Sequence, residues 1–571
     1  MPRYRQLKQS LEDAEDGHTP DEDSVGDGLL ADLDELDRRQ PGGAMSGTVN
    51  ERQRLLDAGA ADDRLPDRTS ESGRPFTTYE DALAQCGFGR YHISLLLICG
   101  WAVSSDAIEV LSVSFLLPSA TCDLKLTSSD KGWLNATVFL GMMIGGYFWG
   151  SLSDKSGRRT VLMWSLLVNA VGNLGSSLSQ QYWLFLLCRL ISGIGVGGSM
   201  PVIFTYYTEF QHKSRRGAMI SLLATFWMAG NIIAASLAWL VIPREYLSFT
   251  QGDFEFHSWR VFVALCTIPS LTSAAMFVLM PESPKFLLRA GKEEDAIIVL
   301  RQVHSTNGCR TPFKVEALAL SEKGISAEYK TLDNQSGRSS SCCDVTGTFT
   351  KLVESTKELF RKRLRRTTSV LLIINFTLAF GYYGLFLWFP ELFSRIDKYG
   401  GSFCDVKTGN DTGSNSSECE SPSNEVYIES FLTSISNLPG NILSIFIVER
   451  VGRKPILASS MVLSGLSVFL LAFVQERWQN VLISCLFGAI SVCGFNMLDV
   501  LQTELFPTHV RSTAFGMQTG IARIGAILGN VIFGQLVDVN CIVPMLLVAS
   551  LLGFGGLSSL ALPNTTGMDI H

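Results

Sequence analysis

A charged turn that follows an apolar, glycine-rich segment occurs twice in this sequence. The first copy, residues 140–159, reads LGMMIGGYFWGSLSDKSGRR, and the second ends in VERVGRK. Three positions return with a single spacing of 295 residues (449 − 154): Asp154 as Glu449, Gly157 as Gly452 and Arg158 as Arg453. Repetition in register predicts that the chain consists of two related halves.

A second set of residues keeps this spacing. Its members lie at helix ends or in a glycine-rich helix: Thr208, Glu209 and Arg216 return as Thr503, Glu504 and Arg511, and Gly193 returns as Gly488. Each half is therefore expected to place the same charged turns between the same apolar helices.

The composition indicates a membrane protein with polar tails. The 571 residues are 46% hydrophobic with a mean hydropathy of +0.22, although the first 91 residues are polar. Those 91 residues hold 20 acidic and 11 basic residues, a charge of −9, whereas the whole chain carries −7. The acidity belongs to the tail, which has too little apolar surface to fold and is predicted to be disordered.

Twelve apolar runs are long enough to cross about 30 Å of hydrocarbon. They are predicted at 93–117, 131–152, 160–179, 182–206, 217–242, 259–280, 367–393, 427–448, 455–474, 479–502, 513–536 and 540–561. The fold class is therefore an all-α membrane protein with twelve transmembrane helices in two pseudo-symmetric six-helix bundles.

The basic residues predict the orientation. Loops after the second, fourth, eighth and tenth helices are rich in Lys and Arg, so the positive-inside rule places them and both termini in the cytoplasm. The expected organisation is an acidic cytoplasmic tail (1–75), a first bundle (76–288), a cytoplasmic linker with amphipathic helices (289–366), a second bundle (367–563) and a short cytoplasmic tail (564–571).

Two further segments suggest sorting and secretion. Glu51, Leu55 and Leu56 resemble an acidic dileucine signal for sorting adaptors. The loop between helices seven and eight contains the glycosylation sequons of Asn410 and Asn415, and a lumenal loop would permit glycans there.

Cys404 and Cys419 bracket that loop and form a candidate disulfide, with free thiols as the alternative. Residues 351–366 end in several basic residues beside helix seven. They predict either contact with anionic lipid or a simple basic flank of the membrane span.

The charged turns supply a candidate gate. Asp154, Arg158 and Arg159 can pair with charged groups at neighbouring helix ends, such as Glu209 and Arg216. The remaining candidates of the network are Arg189, Glu449, Arg453, Glu504 and Arg511. Pairs that form in one conformation and break in another would latch two rigid bundles together. A static salt bridge is the alternative.

Ionisable residues within the predicted spans are candidate functional groups, because each costs about 2.5–3.5 kcal/mol on insertion scales. Asp106 and Glu109 are three residues apart in the first helix and share a face, so they are candidates for coupling to protons or cations. A fixed hydrogen-bonded network is the alternative. Asp499 lies in helix ten, and for Arg189 in helix four both structural pairing and substrate contact remain open.

Aromatic and amide side chains in helices five, seven and ten form a candidate substrate cavity. With Asp499, its members are Trp227, Asn231, Tyr382, Tyr383, Phe495 and Asn496. The sequence has no nucleotide-binding loop, metal-ligand cluster or nucleophile elbow, and no basic face that fits nucleic acid. We therefore expect no cofactor, no metal and no enzymatic activity.

The motifs resemble those of the sugar-porter branch of the major facilitator superfamily. The resemblance rests on GGYFWGSLSDKSGRR (145–159), ERVGRK (449–454), TEFQHKSRRG (208–217), PESPKFLL (281–288) and TELFPTHVRS (503–512). The chain also resembles the synaptic vesicle glycoprotein 2 family, through QCGFGR (85–90), FLLPSA (115–120), FHSWRVFV (256–263), QVHSTN (302–307) and NMLDVLQTELFP (496–507).

This resemblance implies a twelve-helix vesicle glycoprotein with an acidic pair in helix one, here Asp106 and Glu109, and a cavity tryptophan in helix five, here Trp227. The family has a tryptophan in helix ten where this chain has Phe495. It also has a large lumenal domain between helices seven and eight, where this chain has a short loop.

Two functions follow as hypotheses. The first is a secondary transporter in a secretory, synaptic-vesicle or plasma membrane that moves a small polar solute, either a sugar or an organic ion, by alternating access. The second is a vesicle receptor or trafficking regulator that keeps the transporter fold without turnover. The intact turns and the acidic pair favour transport, whereas the acidic tail favours interaction.

Overall fold

The structure is a computed structural model that describes residues 76–251, 254–309, 312–319, 354, 356–362, 364–399 and 422–563. The predicted tail, sorting signal (Glu51, Leu55, Leu56), sequons (Asn410, Asn415) and Cys404–Cys419 pair lie outside these residues.

The first half of the chain contains most of the short elements. In order they are β1 (Phe76–Thr78), α1 (Tyr79–Cys86), α2 (Arg90–Asp123), α3 (Ser128–Ser156), α4 (Arg158–Leu178), α5 (Tyr182–Glu209), α6 (Arg216–Val241), a 3-10 turn (Glu245–Leu247), β2 (Phe249–Gln251), β3 (Phe254–Phe256) and α7 (Ser258–Leu279). α8 (Pro284–Arg289) follows α7 directly, and the linker contains α9 (Glu293–Asn307) and β4 (Ala317–Ala319). β2 and β3 pair antiparallel, with Phe249 opposite Phe256.

Within its described residues, the regular elements of the second half are all helices. Its helices are α10 (Arg365–Phe386), α11 (Phe389–Tyr399), α12 (Asn424–Val451), α13 (Arg453–Leu471), α14 (Arg477–Leu505), α15 (Thr508–Leu536) and α16 (Ile542–Ser559). α10 and α11 together form one candidate span, Arg365–Lys398.

Eleven helical segments of the described chain are long and apolar enough to cross a membrane. The predicted second span, residues 131–152, lies in α3, which is not among the eleven because its glycines and Asn135 lower its mean hydropathy. At 1.5 Å per residue, its 29 residues extend about 43 Å, enough to cross a bilayer. That α3 crosses the membrane therefore stays a prediction.

The sequence repeat corresponds to a repeat in three dimensions. Gly157 and Gly452 end α3 and α12 with φ of 94° and 91°, values that glycine adopts without strain. Arg158 lies 3.4 Å from Glu209, and Arg453 lies 3.3 Å from Glu504. Neither pair has hydrogen-bond geometry, so both are ion pairs formed at the same place in each half.

Helix packing repeats with the same spacing. A Cβ on Gly145 would lie 2.1 Å from the Ile194 carbonyl oxygen, and a Cβ on Gly440 would lie 2.2 Å from that of Ala489. Both glycines therefore let α3 and α12 approach α5 and α14 more closely than a side chain permits. The predicted fold of two similar helical bundles is confirmed.

We call the face with the Gly157 and Gly452 turns the motif side, and the opposite face, where α2 ends and α3 begins, the far side. Near the far side the two halves pack tightly, since a Cβ on Gly132 would lie 2.7 Å from the Asn530 carbonyl oxygen. Trp239 of α6 also packs against Phe431 of α12, with ring centroids 5.7 Å apart. These contacts hold the bundles together at one end.

The linker folds against the motif side of the first half. α9 presents an apolar face to this side, because Ala296, Val299, Leu300 and Val303 are buried. At the end of α9, the Asn307 side chain donates to the Cys86 carbonyl at 2.8 Å and accepts from the Tyr91 N–H at 3.1 Å. α9 is thereby fixed to the start of α2.

Candidate functional site

The acidic pair of α2 faces α5. Asp106 is fully buried, and the Ser199 hydroxyl lies 2.8 Å from both of its carboxylate oxygens. Glu109 accepts hydrogen bonds from Arg189 at 2.8 Å and from the Ser192 hydroxyl at 2.5 Å. The two acids thus share a face but have separate partners.

Arg189 pairs with Glu109 in the interior of the first half. The Arg189 side chain is buried, also donates to Ser112 at 3.1 Å, and lies over the Phe185 ring. One Glu109 oxygen and two Arg189 nitrogens have no hydrogen-bond partner among the described residues. Of the two roles open from the sequence, this geometry favours structural pairing, because removing either charge would leave the other buried and uncompensated.

Arg523 is a charged residue that was not among the residues predicted from the sequence. It lies in α15, half-buried, 3.6 Å from the Met200 sulfur and with its guanidinium 5.8 Å from the Phe139 ring centroid. It interacts electrostatically with Tyr383 and with Asp106. Arg523 is identifiable from the sequence in the same way as Asp106, because it is an isolated charge within the predicted span 513–536.

Aromatic residues from both halves meet beside Arg523. Phe139 of α3 contacts Tyr383 of α10 with ring centroids 4.9 Å apart. Phe495 of α14 lies 5.2 Å from Tyr382 and 6.0 Å from Tyr383. Four of the predicted aromatic and charged positions are therefore close to one another, since Asp499 also interacts electrostatically with Tyr383. Asp499 itself is exposed.

The predicted amide residues have different partners. Asn496 donates to the Asn441 carbonyl oxygen and to the Ser444 hydroxyl, both at 2.7 Å, so it belongs to a polar network between α14 and α12. Asn231 is buried in α6, with its carbonyl oxygen unpartnered among the described residues. Trp227, one turn earlier, is half-buried and packs against the hydrophobic cores.

The charged residues of the predicted gate contact partners within their own half. Arg158 contacts Asp154 at 3.2 Å besides Glu209, and Arg216 contacts Glu80 of α1 at 3.0 Å. Arg159 donates to the backbone carbonyls of Phe277 and Val278. In the second half Arg453 pairs with Glu504, whereas Arg511 donates to the Phe506 carbonyl. Glu449 lies in α12, and its side chain is outside the described part of the structure.

Glu282 of the PESPKFLL motif caps α4. Its carboxylate accepts hydrogen bonds from the backbone N–H groups of Arg158 and Arg159, at 2.9 and 3.0 Å, and from Ser283 at 3.0 Å. A carboxylate at a helix N-terminus satisfies free N–H groups and complements the helix dipole. The segment between α7 and α8 therefore stabilises the turn that follows Gly157.

A cluster of charges joins the halves at the far side. Lys131 of α3 bonds to Glu391 of α11 at 2.6 Å, and both side chains are 6% exposed. Arg395 contacts Glu391 at 3.2 Å, Asp538 at 2.9 Å and the Ser128 hydroxyl at 2.8 Å. We call these five residues the far-side cluster. Motif reading could not identify it, because its members lie outside the repeated turns.

Two hydroxyl contacts reinforce the same end of the interface. Ser114 of α2 donates to the Leu387 carbonyl at 2.5 Å, and Ser119 lies 2.6 Å from the Tyr427 hydroxyl of α12. Together with the far-side cluster, these bonds close the far side. The described gate charges at the motif side, in contrast, have their partners within their own halves.

One apolar crevice lies away from these charges. It measures about 700 Å³ and opens between α13 and α16, where Val462, Leu466 and Phe469 face Val543 and Leu546. Its lining has no charged residue, so it lacks the groups needed to select a polar solute.

The sequence matches two family models. The "Sugar (and other) transporter" model matches residues 91–398, and the "Major Facilitator Superfamily" model matches residues 422–567. Among solved structures, the xylose transporter XylE from E. coli aligns in a partially occluded inward-open form with a TM-score of 0.59 and 16% identity, covering 84% of this chain and 99% of that chain. This likeness shows the fold.

Curated relatives align over most of the chain. Synaptic vesicle glycoprotein 2B of Mus musculus is 33% identical, covering 89% of this chain and 88% of that protein. Synaptic vesicle glycoprotein 2C of Rattus norvegicus is 34% identical (85% and 80%), and synaptic vesicle glycoprotein 2A of Rattus norvegicus is 32% identical (86% and 80%). The chain is a multi-pass membrane protein that belongs to the synaptic vesicle glycoprotein 2 family and has the sugar-transporter fold of the major facilitator superfamily.

Proposed function

We propose that this protein is a secondary active transporter, not an enzyme, that moves a small polar solute by alternating access. The observation that carries the proposal is the unequal closure of the interface between the halves. Buried charges join them at the far side, whereas the gate charges pair within each half at the motif side. A conformation closed at one end is what a rocking pair of bundles requires.

The solute would bind where the halves meet near Tyr383. Tyr382 and Phe495 offer aromatic surface there, and Asp499 offers a carboxylate. Trp227, Asn231 and Asn496 are proposed as further lining residues of the cavity. Arg523 brings a positive charge to the same region. A site with aromatic surfaces and a few polar groups suits a sugar or an organic ion.

Asp106 is the proposed coupling residue. Its hydrogen-bonding partner is a hydroxyl, whereas Glu109 is held by Arg189. A carboxylate without a bonded cation is better placed to exchange a proton during the cycle than one in an ion pair. Glu109 would then act as a fixed anchor between α2 and α5.

We also propose that the gate charges form the motif-side latch when the far side opens. Arg158 and Arg453 already face Glu209 and Glu504 within their own halves. Closure of the motif side would bring the two turns together and let these charges exchange partners across the gap.

Uptake by proteoliposomes tests the transport proposal. Vesicles containing the full chain would be given radiolabelled sugars and organic ions, with and without a proton gradient. We expect gradient-dependent uptake of at least one solute, lost in Asp106→Asn and kept in the control Glu294→Gln, whose side chain is exposed and lies outside the gate charges. Uptake that is unaffected by Asp106→Asn would refute coupling at this residue.

A second candidate function is a vesicle receptor or trafficking regulator without turnover. It is favoured by the names of the relatives, which are vesicle glycoproteins, and by the acidic tail with Glu51, Leu55 and Leu56 as a signal for sorting adaptors. Binding of solutes without uptake of any of them would support this candidate. Dependence of vesicle localisation on Leu55 and Leu56 would test the signal.

The proposed orientation places both termini and the motif side in the cytoplasm. Cys122, at the end of α2, and Cys541, at the start of α16, are disulfide-bonded. Both lie at the far side, and disulfides persist in oxidising compartments. Removal of Asn410 and Asn415 by substitution to Gln is expected to abolish a glycosidase-sensitive mobility shift, and an unchanged shift would contradict this orientation.

A further inference from the structure

The segment that precedes α10 is held in a defined position. Leu359 is fully buried in the hydrophobic core, and the Thr368 hydroxyl donates to its carbonyl at 3.0 Å. Backbone bonds from Arg361 to Glu358 and from Arg365 to Arg361 form a turn between this anchor and the helix. The side chains that leave the turn therefore point outward from a fixed base.

Those side chains combine cations with an exposed aromatic ring. Phe360 is 43% exposed, and its exposed basic neighbours are Lys357, Arg361, Lys362, Arg365 and Arg366. We call these six residues the amphipathic collar. Within the described chain, none of its five cations forms an ion pair, although Glu354 and Glu358 lie on the same segment.

The start of α10 adds to the positive potential. Its first turn has no acidic residue, and its N-cap, Leu364, makes no side-chain capping bond. Arg365 and Arg366 therefore lie at the positive end of the helix dipole, where cations are unfavourable and anions are favourable. An anion bound at the collar would compensate both charges.

We propose that the amphipathic collar binds anionic phospholipid headgroups of the leaflet in which α10 begins. Phosphate groups would neutralise the five cations, and the adjoining acyl region would cover Phe360. A free phosphate would leave that ring exposed to water. Basic residues next to a membrane span each strengthen binding to anionic lipid by roughly fivefold.

The test measures binding of a fluorescent phosphatidylinositol bisphosphate to the full chain in neutral detergent. We expect the variant Arg361→Gln/Lys362→Gln/Arg365→Gln/Arg366→Gln to bind several hundred-fold more weakly. The matched control removes four exposed cations elsewhere, as Lys155→Gln/Lys213→Gln/Lys292→Gln/Arg450→Gln, and should keep its affinity within about threefold. An unchanged melting temperature would show that the exposed substitutions leave the fold intact.

A second variant separates lipid from other anions. Phe360→Ser should weaken binding of the lipid several-fold but leave binding of soluble inositol trisphosphate unchanged. Equal affinity for lipid and inositol trisphosphate, with no effect of Phe360→Ser, would replace the proposal by a free-anion site. Equal weakening in the collar variant and the control, or tighter binding of a polyglutamate peptide than of the lipid, would also overturn it.

Discussion

Glu391→Gln is the sharpest perturbation of the far-side cluster. Glu391 accepts from Lys131 at 2.6 Å and from Arg395 at 3.2 Å, and the Lys131 and Glu391 side chains are each 6% exposed. Removing the carboxylate charge leaves Lys131 buried beside a neutral amide. A buried charge that loses its partner destabilises the arrangement by about 3–5 kcal/mol.

This destabilisation affects only the conformation in which the far side is closed. The Lys131–Glu391 bond exists only while the far side is closed, so the variant should shift the closed-to-open ratio by at least about 100-fold. Lys131→Met should shift it less, because Glu391 keeps Arg395. Since Asp538 is 57% exposed, Asp538→Asn should change the equilibrium by at most about 1 kcal/mol.

A distance measurement between the two halves reports the shift. Labels introduced as unnatural amino acids at Tyr246 and Val539, which are 80% and 81% exposed on far-side connections, leave the native cysteines unchanged. Glu391→Gln should add a population at longer distance. Arg477→Gln is the matched control, because Arg477 pairs at the far side with Glu429 and Asp397 of its own half. A distance distribution equal to that of the wild type would refute the role of the cluster in closure.

Further predictions concern packing, buried charge, capping and thiol chemistry. Gly440→Ala should lower the free energy of unfolding by about 1–3 kcal/mol in thermal melts, whereas Gly553→Ala, with nothing within 4 Å of the new Cβ, should not. Glu109→Leu should destabilise by about 3–5 kcal/mol and Glu109→Leu/Arg189→Leu by less; equal losses would contradict the pairing. Glu282→Ala should lower stability by about 1 kcal/mol by uncapping α4, and an unchanged melt would exclude this role. Burial raises the pKa of Cys86 to about 12, so its alkylation by maleimide should be slow at pH 7 and accelerate about tenfold per pH unit up to that value; a rate independent of pH would contradict the shift.

The sequence alone determined the architecture of this protein. An α-helix that crosses the hydrocarbon forms all its backbone hydrogen bonds internally. Long apolar runs therefore identify the spans without any knowledge of which helices pack beside them. The turn residues Gly157 and Gly452 were equally visible, because the repeat places them 295 positions apart (452 − 157). The high free-energy cost of a charge within a membrane span likewise identified Asp106 and Glu109 as candidate functional residues.

Only the tertiary structure decided which charges meet. Glu109 pairs with Arg189, 80 positions away, and Lys131 pairs with Glu391, 260 positions away. Such pairs depend on the rotation and depth of each helix, which close packing of small residues fixes. Hydropathy counts apolar residues along the chain and carries no information about that rotation. The closed far side and the position of Arg523 between the halves could therefore be found only by folding the chain.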